Sequence, residues 1–381
     1  MIKRQLQEKV EERIFGGKAI VLIGARQVGK TTLVKRILET RKTEIQFFDG
    51  DDPTVRRLLN EPNTEQLRQL IGEAEIVFID ETQRLQNIGL TAKIITDQFK
   101  DKQLILSGSS AFDLNSSIQE PLTGRKWSFN LFPVSWKEWQ DHVGYLKAEQ
   151  DLENRLIYGF YPDVLNHSFR QGEILDELVE SYLYKDILNY AGIRKPDLIQ
   201  KLVQAISYQI GQEVVYKEVG DLVGLDPKTV SHYIDILEQA FVVFRLPAFS
   251  KNLRNEIKKN QKIYFYDNGV RNAVIRDYKP FVNRTDKGAL WENFLISERF
   301  KQLRYARRNT RMFFWRTKQQ QEVDYVEVSG KEISGYEFKW NSKKDIRFPK
   351  TFTKNYSQNV YGIHRDNFRD FVLPEHHSKP I

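Results

Sequence analysis

The chain has 381 residues, of which 40% are hydrophobic and 29% charged, and its net charge is +8. That length predicts two or three domains, with apolar material enough for more than one core. The absence of cysteine excludes disulfides and thiolate metal sites. No apolar run approaches the ~20 residues that span a bilayer, so no membrane association is expected. The charged, amphipathic first residues lack the apolar stretch of a signal peptide, and a cytoplasmic location is the expectation. The positive surplus favours polyanionic partners.

In chain order, residues 19–107 alternate short apolar runs with helical patterns. Ala19-Ile20-Val21-Leu22-Ile23 is a strand candidate that ends in a glycine-rich turn, and residues 31–38 follow helical spacing. Further strands are expected at 45–48, 75–79 and 103–106. Apolar strands separated by helices imply a parallel sheet covered on both faces. From about 141 to 210 the pattern is helical, broken at Pro162 and Pro196. Residues 213–267 read as helix, turn, helix and two β-rich runs. A long helix at 289–305 and strands at 312–315, 322–328 and 333–338 follow. The polar tail after Leu373 is expected to fray.

Gly24-Ala25-Arg26-Gln27-Val28-Gly29-Lys30-Thr31 fits the pattern G-x-x-x-x-G-K-[ST], with a strand before it and a helix after it. The glycines let backbone N–H groups turn inward around phosphate oxygens. Lys30 reaches the β and γ phosphates of ATP, and the Thr31 hydroxyl, followed by Thr32, coordinates Mg²⁺. The helix that follows points its positive end at the same anion. A second apolar strand delivers Asp80 and Glu81 at its C-terminal edge, where ligands bind in open α/β sheets. Asp80 is expected to hold the Mg²⁺ shell, and Glu81 to orient and activate the attacking water. The strand ending Ser107-Gly108-Ser109-Ser110 can place a hydroxyl near the γ-phosphate, through Ser107 or Ser109, or can be a plain Ser/Gly turn. Arg125 reads either as an arginine finger acting on a neighbouring subunit or as the partner of an acid on its own surface.

These features together resemble the AAA+ ATPases. Gly124-Arg125 through Leu131-Phe132-Pro133-Val134-Ser135 narrows the resemblance to ATPases of bacteria and archaea that carry a C-terminal domain of unknown function. Gly159-Phe160-Tyr161-Pro162 is similar to a further motif of that family, although a second glycine is usual where Phe160 stands. The resemblance runs over most of the chain. It implies ATP and Mg²⁺ as cofactors and sites shared between the subunits of a homo-oligomer.

Residues 217–224 and 228–241 read as two helices joined by Leu225-Asp226-Pro227, with Pro positioned at a helix start. Val230, Tyr233, Ile234 and Leu237 fall on one face of the second helix. Strands at 242–246 and 262–266, joined by the basic loop 251–259, complete a winged-helix pattern. Lys228, Thr229, Ser231 and His232 lie where such a helix meets DNA. Winged helices equally serve as packing modules.

Toward the C-terminus, strand periodicity puts Glu337 and Lys339 on one face, and Asp324 can lie beside them across the hairpin. Asp324 and Glu337, with Glu292 from the preceding helix, are candidate Mg²⁺ ligands. Lys339 can orient a water or stabilise developing phosphorane charge. The arrangement resembles the PD-(D/E)xK nuclease core, with Val323 where that motif has proline. Between Arg299 and Lys318 the chain carries eight Lys or Arg and no acid, which makes DNA the natural substrate. A salt-bridged hairpin or an inactive nuclease fold would carry the same residues.

The expected fold is α/β. A P-loop AAA+ parallel sheet over 1–140 is followed by a helical connector over 141–212, a winged helix over 213–284 and a C-terminal α/β restriction-endonuclease-like domain over 285–373. Two functions fit. One is a DNA-associated ATP hydrolase, with the C-terminal domain holding or cutting DNA. The other is a regulatory ATPase, an interaction protein with a protein partner and an inert nuclease-like scaffold. A metabolic kinase is disfavoured because no acceptor site is evident.

Overall fold

The computed structural model describes residues 1–39, 41, 43–109, 120–186, 196–250, 261–343 and 345–373. The chain divides into two compact units, Met1–Pro133 with Gln239–Phe241, and Val134–Glu238 with Val242–Ile381.

The first unit is a five-stranded sheet. Strands β1 (Ala19–Ile23), β2 (Ile45–Asp49), β3 (Ile76–Asp80), β4 (Gln103–Gly108) and β5 (Lys126–Asn130) stand in the order β2-β3-β4-β1-β5. Every pairing is parallel. The three central strands are buried at every residue, as continuous apolar runs in a covered parallel sheet should be. The edge strands β2 and β5 keep exposed positions. Helices α1 (Leu6–Glu11), α2 (Lys30–Glu39), α3 (Pro53–Leu59), α4 (Thr64–Ile71) and α5 (Ile88–Gln98) accompany the sheet. β5 was not expected from Lys-Trp-Ser-Phe-Asn, which has too little apolar content to read as a strand alone. It exists because it pairs along the whole of β1. The strand order matters for the site. β4 lies between β1 and β3, with Leu22 paired to Ser107 and Ile79 to Leu106, so Ser107 sits between the glycine-rich loop and Asp80.

The second unit opens with helices α6 (Trp136–Val143), α7 (Tyr145–Tyr158), α8 (Pro162–Asn166), α9 (Gln171–Leu178) and α10 (Pro196–Tyr208). Ser135 and Glu138 form a reciprocal capping box at the start of α6, satisfying two otherwise orphaned donors. Pro162 and Pro196 each open a helix, where a missing N–H costs nothing. Strand β6 (Glu213–Val214), helices α11 (Tyr216–Val223) and α12 (Pro227–Gln239), and strands β7 (Val243–Pro247) and β8 (Gln261–Phe265) come next. The three strands form an antiparallel sheet in the order β6-β8-β7. Val230, Tyr233, Ile234 and Leu237 of α12 are buried, as the spacing predicts. Asp226 caps this helix, accepting from the backbone N–H of Lys228 and Thr229 at 2.9 and 3.1 Å. The loop 251–259 and Ser110 lie outside the described residues.

Helices α13 (Asn268–Val274) and α14 (Lys287–Tyr305) lead to β9 (Thr310–Arg316), β10 (Glu322–Ser329) and β11 (Glu332–Phe338). After α15 (Lys350–Asn355), β12 (Val360–Ile363) joins the sheet, and α16 (Arg369–Val372) follows. The sheet order is β12-β11-β10-β9, antiparallel except for the β11–β12 pair. One of its faces buries Phe313, Trp315, Val323, Val326 and Phe352. Among the described residues no helix is long and apolar enough to cross a membrane.

The basic run at 299–318 is not one solvated stripe. Arg299 is drawn inside by a two-point pairing with Glu327 at 2.6 and 2.8 Å. Lys301 is buried and donates to Glu298 at 2.7 Å. Arg304, Arg307, Arg308, Arg311 and Lys318 remain exposed.

Candidate nucleotide site and the C-terminal acidic cluster

The loop from Gly24 to Thr31 hangs from the C-terminal end of β1. At Gly24 a side chain is impossible, because a Cβ would stand 2.1 Å from the Leu131 carbonyl oxygen. Gly29 takes φ +92°, a left-handed conformation open to glycine. Arg4 braces the loop from the N-terminal segment. Its guanidinium donates to the Val28 carbonyl at 2.8 Å and the Phe132 carbonyl at 2.6 Å. Nothing in the local sequence around Arg4 announces this role, because its partners lie 24 and 128 residues away.

Lys30 is buried and folds back onto the loop, donating to the carbonyls of Gly24 (3.0 Å) and Ala25 (2.9 Å). Thr31 Oγ1 donates to Asp80 Oδ2 at 2.5 Å. The other Asp80 oxygen accepts from the Ser107 hydroxyl and, at 3.0 Å, from the Glu81 N–H. Ser107 therefore serves the carboxylate of Asp80 directly. Glu81 stands at φ +47°, a strained position for a side-chain-bearing residue, of the kind concentrated at functional sites. The Gln83 amide nitrogen donates to Glu81 Oε2 and, at 2.8 Å, to Ser109 Oγ. Its oxygen accepts from Ser109 N–H at 3.2 Å. Gln83 thus ties Glu81 to the end of β4, a role that a lone glutamine two residues past the acid does not advertise. Arg26, Gln27, Val28 and Thr32 line the same loop and helix start. Arg125 pairs with Asp97 at 2.7 Å on its own surface, the second of its two expected roles.

Burial pushes the Lys30 ammonium down to about 8, against the opposing pull of Glu81 and Asp80. Burial also raises the Glu81 carboxyl above the usual range, opposed by Lys30 and by the hydrogen bond from Gln83. A triphosphate brought beside Lys30 favours its charged form. Above about pH 8 ATP binding should therefore take up a proton, and affinity should fall as pH rises. Calorimetric titrations in buffers of different ionisation enthalpy at pH 7 and pH 9 check this. Identical affinities with no proton uptake at the higher pH would contradict it.

The second constellation lies in the other unit. Asp324 and Glu337 do meet. Asp324 Oδ2 accepts from Phe338 N–H at 2.8 Å, Glu337 Oε2 accepts from Asp324 N–H at 3.3 Å, and Lys339 Nζ stands 3.4 Å from Glu337 Oε1. The β9–β10 register shifts by one residue between Val323 and Val326; a bulge of this kind re-aims side chains. Burial, then Glu292 and Glu337, raise the Asp324 carboxyl well above its ordinary range. Among the described residues no three His, Cys, Asp or Glu are arranged to hold a metal ion. Glu292 already has partners from the chain. Its Oε1 accepts from Tyr264 Oη at 2.6 Å and from Lys262 Nζ at 3.2 Å. Lys262 and Tyr264 share one face of β8 by its period of two, but the sequence places Lys262 at the end of a basic stretch that reads as surface.

Residues 16–140 match the family described as AAA domain. The N-terminal unit carries an AAA domain. Residues 149–279 match a domain of unknown function, DUF8612, and residues 287–373 another, DUF4143. Uncharacterized proteins of Mycobacterium bovis and Mycobacterium tuberculosis are each 26% identical over 350 residues, covering 90% of this chain and 75% of theirs. An uncharacterized protein of Haemophilus influenzae is 25% identical over 224 residues, covering 56% of this chain and 54% of its own. Two solved structures of Pif1 helicases, one from Candida albicans, align at 14% identity over 46% of this chain. This chain spans about half of each, 52% and 48%, with TM-scores of 0.28 and 0.27, a likeness too slight to argue from.

Proposed function

We propose that this protein hydrolyses Mg-ATP in its AAA domain and that hydrolysis is coupled to DNA bound by the second unit. The observation that carries the first part is the line of contacts Thr31–Asp80–Ser107. It joins a hydroxyl and a carboxylate 2.5 Å apart beside the phosphate loop, which fits two groups sharing the shell of one Mg²⁺ ion. When bound, that ion supplies charge neutralisation between the β and γ phosphates. The chain's own groups do the rest. Loop N–H groups cradle the phosphates, Lys30 releases its loop carbonyls to meet them, and Glu81 orients the attacking water.

The second part draws on the exposed cations Arg304, Arg307, Arg308, Arg311 and Lys318. It also draws on a winged-helix reading of α11, α12 and the sheet β6-β8-β7, in which Lys228 and His232 are exposed. Phosphate contacts of this kind are salt-sensitive. The test is ATP turnover with and without double-stranded DNA, using Lys30→Ala to subtract contaminants. Turnover is expected to rise several-fold with DNA and to lose that rise in high salt. Turnover indifferent to DNA sinks the coupling while leaving the ATPase.

A second reading, a regulatory ATPase whose C-terminal fold is an inert scaffold, is favoured by the engagement of Glu292 with Lys262. In that reading plasmid DNA stays intact in Mg²⁺, and wild type, Asp324→Ala and Glu337→Ala behave alike.

A further inference from the structure

The acidic cluster of the second unit brings four carboxylates close together. Glu292 comes from α14, Glu322 and Asp324 from β10, and Glu337 from β11. Four such groups in a half-buried place need a cation nearby. The chain brings its own. Lys262 enters from β8, is 1% exposed, and puts its ammonium 2.6 Å from Glu322 Oε1 and 3.2 Å from Glu292 Oε1. Tyr264, two residues along the same strand, adds a hydroxyl to Glu292 at 2.6 Å. Arg316 flanks the other end, 3.5 Å from Glu322 and 3.8 Å from Glu213. Lys339 completes the set beside Glu337.

Two of the three carboxylates expected to ligate Mg²⁺ are thus already committed, Glu292 to Lys262 and Tyr264, and Glu337 to Lys339 and the Asp324 N–H. A divalent ion held by Glu292 would have to sit beside the buried Lys262 ammonium. The residues present do not fit the metal.

We propose that Lys262 is the resident cation of this cluster, standing where a nuclease-like centre would carry its divalent ion, so that the C-terminal domain binds no catalytic metal. The ammonium instead joins β8, from the segment before residue 279, to α14 and β10 of the segment after residue 287. The lysine makes permanent a connection that a metal would make conditional. The C-terminal fold is then a binding or bracing element whose integrity does not depend on divalent ions, and chelators leave it intact. This inference stands independently of the ATPase reading, because neither nucleotide nor DNA enters its test.

The experiment uses the full chain and Mn²⁺ alone as probe. Binding is followed by electron paramagnetic resonance of the free ion, and thermal unfolding is followed in Mn²⁺ and in chelator. Wild type and Asp324→Asn are expected to give the same Mn²⁺ isotherm, since any weak binding at Thr31 and Asp80 is common to both. Lys262→Met is expected to unfold at lower temperature in chelator, to gain one Mn²⁺ per chain, and to recover part of its stability with it. The gained site should vanish in Lys262→Met/Asp324→Asn. A wild-type Mn²⁺ site that disappears in Asp324→Asn overturns the proposal. A folded Lys262→Met that gains no site overturns it as well. If Lys262→Met does not fold, the comparison of wild type with Asp324→Asn decides alone.

Discussion

Glu81→Gln is expected to leave ATP bound and to slow its hydrolysis by about 10²–10⁴-fold, the range for loss of a positioned general base. The substitution keeps the size and planarity of the side chain and removes only its ability to take a proton. The groups proposed to hold nucleotide lie elsewhere: loop N–H groups, Lys30, Thr31 and Asp80. Glu81 is well placed for the catalytic part. It follows Asp80 at the end of β3, is turned by a left-handed backbone, and has a carboxyl raised by burial above its usual range. Gln83 holds one of its oxygens, so an amide at position 81 keeps a partner and the local structure survives. Single-turnover hydrolysis and equilibrium ATP binding measure the two effects separately. Turnover within about threefold of wild type would remove Glu81 from the base role, since it falls far below the effect of losing a general base. A parallel loss of binding would mean that the side chain shapes the loop instead.

How much of this was legible in the sequence depends on how far apart the interacting residues lie. The loop motif was legible because it occupies eight consecutive residues, and the positive φ of Gly29 is a backbone conformation that glycine spacing reports. Asp80 and Glu81 were legible because a buried strand forces the first polar residues after it to its C-terminal edge. α12 was legible from its period, and its four apolar positions are all buried. The contacts missed are hydrogen bonds of single polar side chains, most of them to groups far along the chain. Arg4, Gln83 and Lys262 each act through a partner that no local pattern points to. Lys262 also misleads, because a lysine beside a basic loop reads as solvated, and only the tertiary placement of Glu292 and Glu322 turns it inward. Arg299 and Lys301 mislead in the same way. A run of positive residues on a helix says nothing about which of them turn inward to acids, Arg299 to Glu327 on a neighbouring strand and Lys301 to Glu298 on its own helix. For the C-terminal cluster, the hairpin brings Asp324 beside Glu337 as expected, but strand period could not show that a lysine from an earlier strand would pair with Glu292.

Gly159→Ala should be among the most damaging single-methyl changes in the second unit. The Gly159 backbone sits at φ +66° and ψ −155°, a region essentially reserved for glycine, which costs a residue with a Cβ about 1–3 kcal/mol. The clash adds more, since a Cβ there would stand 1.9 Å from Asp267 Oδ1 and 2.6 Å from Oδ2. That carboxylate cannot simply swing aside. It is buried, accepts from Phe160 N–H at 2.7 Å, and caps α13 through Gly269 N–H at 2.8 Å and Val270 N–H at 3.3 Å. Shifting the carboxylate far enough to lose one of these bonds costs about 1.5–3 kcal/mol. A loss of about 3–5 kcal/mol is therefore expected, or roughly 10 °C in the unfolding temperature of a unit this size. The Phe160 that stands where the resembled motif has its second glycine makes the loop less tolerant still. Its ring is buried and stacked on Phe294 at 6.0 Å, so the backbone on that side is anchored. Gly144→Ala is the matched control. Gly144 has φ +85° and nothing within 4 Å of its added Cβ, so it carries the backbone cost alone. Calorimetric unfolding of both variants separates the terms. Equal losses would mean that Asp267 relaxes freely and that the close contact at Gly159 contributes nothing.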